Sequence, residues 1–149
     1  MSQLSFHSPV GMLTISEEDG VIVSIDWGWV ENGVDTPVLV AARDQLEAYF
    51  DGRLSRFDLP LQPQGSAFQR KVWQALLDIP FGATRRYGDL AKDLGTAPRA
   101  IGSACGLNPI PIVIPCHRVV GASGGLGGYS GEDGIETKRY LLRHEGAGF

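Results

Sequence analysis

A cysteine followed directly by a histidine is the feature of this chain best suited to chemistry. Cys116 and His117 stand at the centre of the run IPCHRVV, residues 114–120. A free thiol has an ordinary pKa of about 8.5, so at neutral pH it needs a base or a stabilising field to become a nucleophile. His117 is the candidate base, and Glu145 is the candidate carboxylate that orients it. These residue types favour covalent chemistry at the Cys116 sulfur.

The backbone before Cys116 limits how these side chains can meet. Residues 112–114, Ile-Val-Ile, predict a short buried strand that leads towards Cys116. On an extended strand, neighbouring side chains point to opposite faces, so the thiol and the imidazole would not touch directly. Glu145 lies at the end of a predicted last helix, and that helix must therefore pack beside the Cys116 segment.

The cysteine and histidine content argues against other uses of the thiols. Two cysteines, Cys105 and Cys116, cannot form a disulfide framework and lack the spacing of a CxxC pair. The three histidines are scattered, so we predict no metal and no cofactor. Cys105 lies in a run of small residues with no base nearby, which predicts a structural thiol.

The ends and the hydropathy of the chain give an expectation about location. No apolar run approaches the roughly 20 residues that a membrane helix needs. The first residues, MSQLSF, lack the basic start and long apolar core of a signal peptide. We therefore predict a cytoplasmic protein that does not contact a membrane.

Charge is distributed unevenly along the 149 residues, whose net charge is −4. Residues 1–65 carry three arginines against ten acidic residues, a net charge of −7. Residues 66–149 carry ten basic residues against seven acidic ones, a net charge of +3. The second half could face phosphates, although ordinary solvated charge explains the same asymmetry.

The first half of the chain predicts a small β lobe with one helix. Met12–Ser16 and Val21–Trp27 are strand-like runs rich in branched residues, joined by a turn at residues 18–20. Residues 38–50 have helical spacing of apolar positions. Residues 58–65 contain two prolines and are typical of a linker. We predict lobes over residues 1–62 and 63–149.

The second half predicts helices separated by clear stop signals. Ser66 and Gln69 have the spacing of a capping box, which predicts a helix start at Ser66. A short helix near residues 87–94 ends at Gly95, and another is predicted over residues 97–106. The last helix is predicted over residues 135–145, with Ile135, Leu141 and Leu142 facing inward.

The two short helices form a helix-turn-helix pattern, which is common in DNA-binding proteins. The second of them carries Arg99 in its first turn, followed by Ala100, Gly102 and Ser103. Small side chains allow close approach to a partner, but they serve equally well in a tightly packed helix pair. The pattern alone therefore leaves both interpretations open.

Further motifs accompany Cys116 in a fixed order along residues 65–146. They are Phe68-Gln69, Val72-Trp73, Ile79-Pro80-Phe81-Gly82, Tyr87, Leu90-Ala91, Arg99-Ala100-Ile101-Gly102, Asn108-Pro109-Ile110-Pro111, Gly128-Tyr129-Ser130-Gly131, Lys138 and Leu141 to Gly146. With the Pro-Cys-His-Arg core, this set resembles the methylated-DNA–protein-cysteine methyltransferases. The resemblance implies an α+β fold. Its N-terminal ribonuclease H-like lobe has a small antiparallel sheet with a helix, and its helical C-terminal lobe contains a winged helix-turn-helix.

The resemblance also implies the reaction. A methyl group on guanine O6 in DNA would pass irreversibly to Cys116, once per molecule, since a thioether cannot be reversed here. It implies a relay in which a water joins the thiol to His117, with Glu145 behind the imidazole. Tyr87 would donate to the guanine ring so that the base leaves more easily. Asn108 belongs to the same catalytic set and holds the hinge before Cys116.

The remaining implied residues bind the base and the DNA. The base would contact Ser130, Tyr129, the backbone carbonyls of Cys116 and Val119, and an alkyl pocket lined by Pro111. The target base must be flipped out of double-stranded DNA, and Arg99 would fill the gap. The resemblance places the helix with Ala100, Gly102 and Ser103 in the minor groove and implies a monomer.

Two other functions can be distinguished from methyl transfer by features of the Cys116–His117 segment. A lesion-binding module without alkyl transfer would lack the acceptor cysteine, which is present here as Cys116. A thiol hydrolase could use Cys116, His117 and Glu145, but adjacent Cys-His is poor triad geometry and no oxyanion site is evident. One departure from the family pattern is the longer, more acidic stretch at residues 131–138, which would border the pocket and affect the range of alkyl groups accepted.

Overall fold

The computed structural model describes residues 1–122, 125–127 and 134–149. The chain divides into two compact units, residues 1–64 and residues 65–149. The sequence prediction placed this division after residue 62. None of the helices within the described ranges is both long enough and apolar enough to cross a bilayer.

The first unit is a three-stranded antiparallel meander with one helix against it. Its strands are β1 (Ser2–Ser8), β2 (Gly11–Glu18) and β3 (Val21–Trp27), and α1 spans Pro37–Phe50. Thr36 caps α1 by accepting a hydrogen bond from the backbone N–H of Leu39, and Pro37 suits the first turn. The sheet and helix enclose one apolar core, to which both contribute fully buried side chains: Leu13, Ile15, Ile25, Leu39, Leu46 and Tyr49.

The predicted linker partly joins the sheet of this unit. Ile22 in β3 donates its N–H to the carbonyl of Pro60 at 2.8 Å, and Gln62 donates to the carbonyl of Ile22 at 2.9 Å. This parallel bridge between Ile22 and Leu61 occupies part of the outer edge of β3. Two prolines made this segment resemble an unpaired linker, because proline has no N–H to donate. The pairing is possible because the N–H groups that donate belong to Ile22 and Gln62.

Over its described residues, the second unit consists of short helices and two very short strands. Its elements are α2 (Ala67–Leu77), β4 (Arg85–Arg86), α3 (Tyr87–Leu94), α4 (Pro98–Gly106), a 3₁₀ helix (Cys116–Arg118), β5 (Val119–Val120) and α5 (Ile135–His144). The two strands pair in parallel. Together with the antiparallel sheet of the first unit, this gives the predicted α+β fold.

Local signals in the sequence explain where these helices begin and end. The Ser66 side chain accepts from Gln69 N–H and the Gln69 side chain accepts from Ser66 N–H, so the capping box at α2 is confirmed. Gly95 ends α3 with φ at 68°, a left-handed conformation that glycine adopts without strain. The indole N–H of Trp73 donates to the carbonyl of Ala104 at 2.8 Å, which fixes α4 against α2.

Two sequence predictions in this unit are wrong. Residues 112–114 form a turn instead of a strand: Ile114 donates to the carbonyl of Ile110 at 2.9 Å, and Ile112 has φ at 76°. A run of branched residues predicts a strand because it fits a pleated surface, yet here the buried side chains fill the core from a turn. Ile135 is more than one-third exposed at the first position of α5, whereas Leu141 and Leu142 are buried as predicted.

Candidate active site

Cys116 is held at the start of the 3₁₀ helix. Its N–H donates to the carbonyl of Ile114 at 2.8 Å across Pro115, whose φ of −82° and ψ of 64° are those of an inverse γ-turn. The side chain is almost wholly buried, with 4% exposure. A 3₁₀ helix has three residues per turn, so the side chains of Cys116 and His117 diverge by about 120° instead of pointing to opposite faces. The expectation of a strand geometry at this pair is therefore wrong.

His117 is fully buried and bonded to Glu145 on one side only. Its Nε2 lies 2.8 Å from Oε2 of Glu145, and a carboxylate can only accept, so Nε2 carries the proton. Its Nδ1 has no hydrogen-bond partner within the described ranges. Buried polar atoms in native proteins are nearly always paired, so an unpaired imidazole nitrogen indicates an atom reserved for a proton or a small polar molecule.

Arg118 binds the same carboxylate. Its Nε donates to Oε1 of Glu145 at 2.8 Å, and Nη2 donates to Oε2 at 3.0 Å. Its Nη1 donates to the carbonyl of Ile79 at 2.6 Å, just beyond the end of α2. Arg118 thus forms a salt bridge with Glu145, and its contacts join the end of α5 to the end of α2 through the active segment.

Burial sets the resting protonation states of the Cys116–His117 pair. Burial raises the pKa of Cys116. A hydrogen bond from Asn108 and the charge of Lys138 lower it, but by less. Burial lowers the pKa of His117, and the hydrogen bond and charge of Glu145 raise it. The charges of Arg118 and Lys138 lower it further. The resting pair is therefore a neutral thiol and a neutral imidazole, because both charged forms are poorly solvated.

Asn108 fixes the turn that precedes Cys116. Its Nδ2 donates to the carbonyl of Ile114 at 2.8 Å, and its Oδ1 accepts from the N–H of Ile110 at 3.0 Å. The side chain is buried, and it lowers the pKa of the Cys116 thiol. Pro111 is buried within the same turn. The geometry supports the hinge-holding role predicted for Asn108.

Lys138 is a component of this site whose role was not predicted from the sequence. It lies on α5, is fully buried, and donates from Nζ to the carbonyl of Val119 at 2.7 Å. The same Nζ lies 3.4 Å from the Tyr87 hydroxyl and 5.6 Å from the centre of its ring. Lys138 stands three and four residues before the buried Leu141 and Leu142, so helical spacing places it on the same buried face. A lysine at such a position could have indicated a functional residue from sequence alone.

Tyr87 and Cys105 complete the group of titratable side chains. Burial raises the pKa of Tyr87 to about 12, and negative charge on Cys105 or Cys116 would raise it further in the same direction. Burial likewise raises the pKa of Cys105 to about 12, with Cys116 raising it and Lys138 lowering it. Cys105 therefore lies within electrostatic range of Cys116 and Lys138.

Comparison with known proteins assigns the family. The model of the 6-O-methylguanine DNA methyltransferase DNA-binding domain matches residues 67–147, and the model of that enzyme's ribonuclease-like domain matches residues 3–63. The chain belongs to the 6-O-methylguanine DNA methyltransferase family. The two matched segments correspond to the two compact units, and both the fold class and the family resemblance predicted from sequence are confirmed.

Similar proteins extend over nearly the whole chain. The methylated-DNA–protein-cysteine methyltransferase of Mycolicibacterium paratuberculosis is 46% identical, over 93% of this chain and 88% of its own length. That of Methanosarcina acetivorans is 43% identical, over 95% of this chain and 96% of its own length. A crystal structure of Mycobacterium tuberculosis OGT in complex with DNA is similar with a TM-score of 0.89 and 43% identity, covering 99% of this chain and 94% of that one.

The predicted DNA-binding residues of this family member lie on one helix. Arg99 and Ser103 of α4 are exposed, and Ala100 and Gly102 are partly exposed. A Cβ placed on Gly102 would lie 4.0 Å from Cε1 of Tyr87, so this helix borders the phenol ring. The predicted base-binding residues Tyr129 and Ser130 lie outside the described residues. Within the described ranges, no three His, Cys, Asp or Glu side chains gather as a metal-ligand group.

Gly127 brings the backbone against the other edge of the Tyr87 ring. Its φ is +70°, and a Cβ there would lie 3.0 Å from Cε2 and 3.1 Å from the hydroxyl oxygen. Gly127→Ala should therefore lower the free energy of unfolding by about 1–2 kcal/mol, the cost of a left-handed alanine, and displace the phenol. Denaturant unfolding of the purified variant measures the first effect.

Gly88→Ala is the matched control for this prediction. Gly88 lies in α3 next to Tyr87, and a Cβ there would meet nothing within 4 Å. Alanine favours a helix, so this variant should be neutral or gain up to about 1 kcal/mol. Equal stability of the two variants would contradict the proposed close approach at Gly127.

Proposed function

We propose that this protein repairs DNA by direct reversal, transferring the methyl group of O6-methylguanine to the sulfur of its own Cys116. One observation carries this assignment of the acceptor. In a member of the 6-O-methylguanine DNA methyltransferase family, Cys116 is followed by a buried imidazole that is bonded to Glu145 through Nε2 and has an unpaired Nδ1. The imidazole is thus prepared to accept one proton from the neighbouring thiol.

The reaction forms one bond and breaks one. The Cys116 sulfur attacks the methyl carbon, the new S–C bond forms, and the C–O6 bond breaks with its electron pair passing to the guanine. The thiol proton passes through a bridging water to Nδ1 of His117, since the two side chains diverge around the 3₁₀ helix. Glu145 stabilises the imidazolium that results. A thioether has no leaving group that any side chain here could displace, so each molecule reacts once.

The proposed base pocket surrounds the sulfur with groups of matching polarity. Tyr87 donates to a ring nitrogen of the departing base, and Pro111 lines the space for the alkyl group. The carbonyls of Cys116 and Val119 accept from the exocyclic amine. The Val119 carbonyl already accepts from Lys138, and its second lone pair is available for the base. Ser130 and Tyr129 are assigned to this pocket by the resemblance alone.

The DNA surface in this proposal is the exposed face of α4. Arg99 enters the space left by the flipped base, and Ala100, Gly102 and Ser103 allow the helix to approach the narrow minor groove. The protein acts as a monomer on double-stranded DNA. The acidic lobe over residues 1–62 serves as a scaffold, because its net negative charge would repel phosphates.

Intact-protein mass spectrometry tests this function directly. After incubation with a duplex containing one O6-methylguanine, we expect every active molecule to gain one CH2, and peptide mapping to place it on Cys116. Cys105→Ser is the matched variant and should react to the same extent. Methylation at Cys105, or more than one product per protein molecule, would contradict the proposal.

A further inference from the structure

Leu107 ends the helix assigned to DNA with a large apolar side chain that faces solvent. It is 63% exposed, and among the large apolar side chains of the described ranges only Met1, at the chain terminus, is more exposed. Single exposed leucines are common on protein surfaces, so exposure by itself indicates no function. The position of this leucine on α4 is what gives its exposure a meaning.

Leu107 continues the exposed stripe of α4. The exposed residues of this stripe are spaced four, three and one positions apart, which places them within an arc of about 100° around the helix axis. They are Arg99, Ser103, Gly106 and Leu107. At about 1.5 Å per residue, Leu107 lies about 12 Å along the axis from Arg99, a distance of about three to four base pairs of B-DNA.

Hydrogen bonds on both sides hold the backbone of Leu107 in place. Its N–H donates to the carbonyl of Ala104 at 3.3 Å, and the N–H of Asn108 donates to the carbonyl of Cys105 at 3.2 Å. The Asn108 side chain in turn donates to the carbonyl of Ile114 at 2.8 Å. The leucine is therefore presented by ordered backbone, which reduces the conformational entropy lost when a partner covers it.

The segment around Leu107 suits a polyanionic partner. Residues 94–131 contain no aspartate or glutamate, and they lie inside the part of the chain that matches the family's DNA-binding domain, residues 67–147. Gly106 leaves open space beside the leucine, since a Cβ there would meet nothing within 4 Å. A duplex can therefore approach Leu107 without meeting a carboxylate of this segment or a side chain at position 106.

We propose that Leu107 is a second anchor of α4 on DNA, an apolar contact in the minor groove about three to four base pairs from the flipped base. This inference rests on the proposed DNA surface of α4 and does not depend on the methyl transfer. Minor-groove proteins frequently place leucine and other apolar side chains against base steps. Arg99 acts at the lesion, whereas Leu107 binds the flanking duplex whether or not it is damaged.

Binding of undamaged duplex tests this contact without requiring the reaction. The measurement is fluorescence anisotropy with a short duplex that binds one protein molecule, repeated at several salt concentrations. Leu107→Ala should weaken binding by about tenfold, because it removes apolar contact area, and should leave the slope of log Kd against log salt concentration unchanged, because it removes no charge. The matched control is Leu77→Ala, which changes an exposed leucine at the end of α2 and should bind like wild type.

A charge placed at the same position gives a second measurement. Leu107→Lys brings an ammonium close to phosphates if the leucine lies in the groove, so the salt slope should steepen by about 0.9, the value for one additional phosphate contact. Leu77→Lys adds the same charge away from α4 and should keep the wild-type slope. Both leucines are exposed, so neither change removes core packing, and denaturant unfolding of each variant checks that it is folded.

Three results would overturn the proposal. A Leu107→Ala affinity within about twofold of wild type, or an unchanged salt slope for Leu107→Lys, would show that DNA does not cover the leucine. An effect of Leu107→Ala confined to long duplexes that carry several protein molecules would assign the leucine to contacts between copies. Ser103→Glu tests the proposed DNA surface separately: its carboxylate should weaken binding by about tenfold or more, and an unchanged affinity would contradict the surface itself.

Discussion

Cys116→Ser is expected to abolish methyl acceptance completely while leaving the affinity for DNA unchanged. A serine hydroxyl is a harder and far less acidic nucleophile than a thiol, and burial disfavours its anion further. The change removes no exposed atom of α4, the helix assigned to DNA. Intact mass after prolonged incubation with O6-methylguanine duplex measures acceptance, and a fluorescence anisotropy titration with the same duplex measures affinity.

Two outcomes would contradict this expectation. Methylated Cys116→Ser protein would mean that another residue accepts the methyl group. A loss of DNA affinity equal to the loss of transfer would mean that the thiol matters for binding instead of chemistry. Cys105→Ser, the other buried cysteine, serves as the control because it makes the same atomic change near the same pocket.

Glu145→Gln is expected to have the second largest effect, on both stability and rate. The carboxylate accepts two hydrogen bonds from Arg118 and one from His117, all inside the protein. Removing its charge leaves the guanidinium of Arg118 buried without a counterion, which typically costs about 3–5 kcal/mol. The imidazolium formed at His117 also loses its stabilising charge, so transfer should slow by about 100-fold or more.

Glu136→Gln provides the matched control on the same helix. Glu136 pairs with Arg139 on the exposed face of α5, so its loss should cost at most about 1 kcal/mol and leave the rate unchanged. Denaturant unfolding of both variants at one pH gives the two free energies. Equal losses for the two variants would show that the buried carboxylate does not anchor the fold.

Much of the fold could be predicted because its signals are local. The capping box at Ser66 and the glycine stop at Gly95 each depend on residues within one turn, and the start of α2 and the end of α3 lie where the sequence placed them. The placing of Glu145 behind His117 was implied by the family resemblance, and the two side chains lie 2.8 Å apart in the structure.

The errors arise where tertiary packing decides the outcome. The Ile-Val-Ile run at residues 112–114 has the composition of a buried strand, and no local signal reveals the left-handed φ of Ile112. The contacts of Lys138 were not predicted because they join it to Val119 and Tyr87, which lie 19 and 51 positions away in the chain. Propensity and spacing describe a residue's own element, whereas the pocket is made by contacts between elements.

The sharing of one carboxylate between Arg118 and His117 has a consequence for anyone who selects inactive variants. At Glu145, catalysis and folding fail together, so inactive protein from changes there will be recovered mainly as insoluble material. Soluble but inactive molecules should instead come from Cys116 or Tyr87, whose side chains are not anchored by that carboxylate. In a mutant library, comparing the inactive variants that remain soluble with those that become insoluble would thus show which side chains serve the chemistry alone.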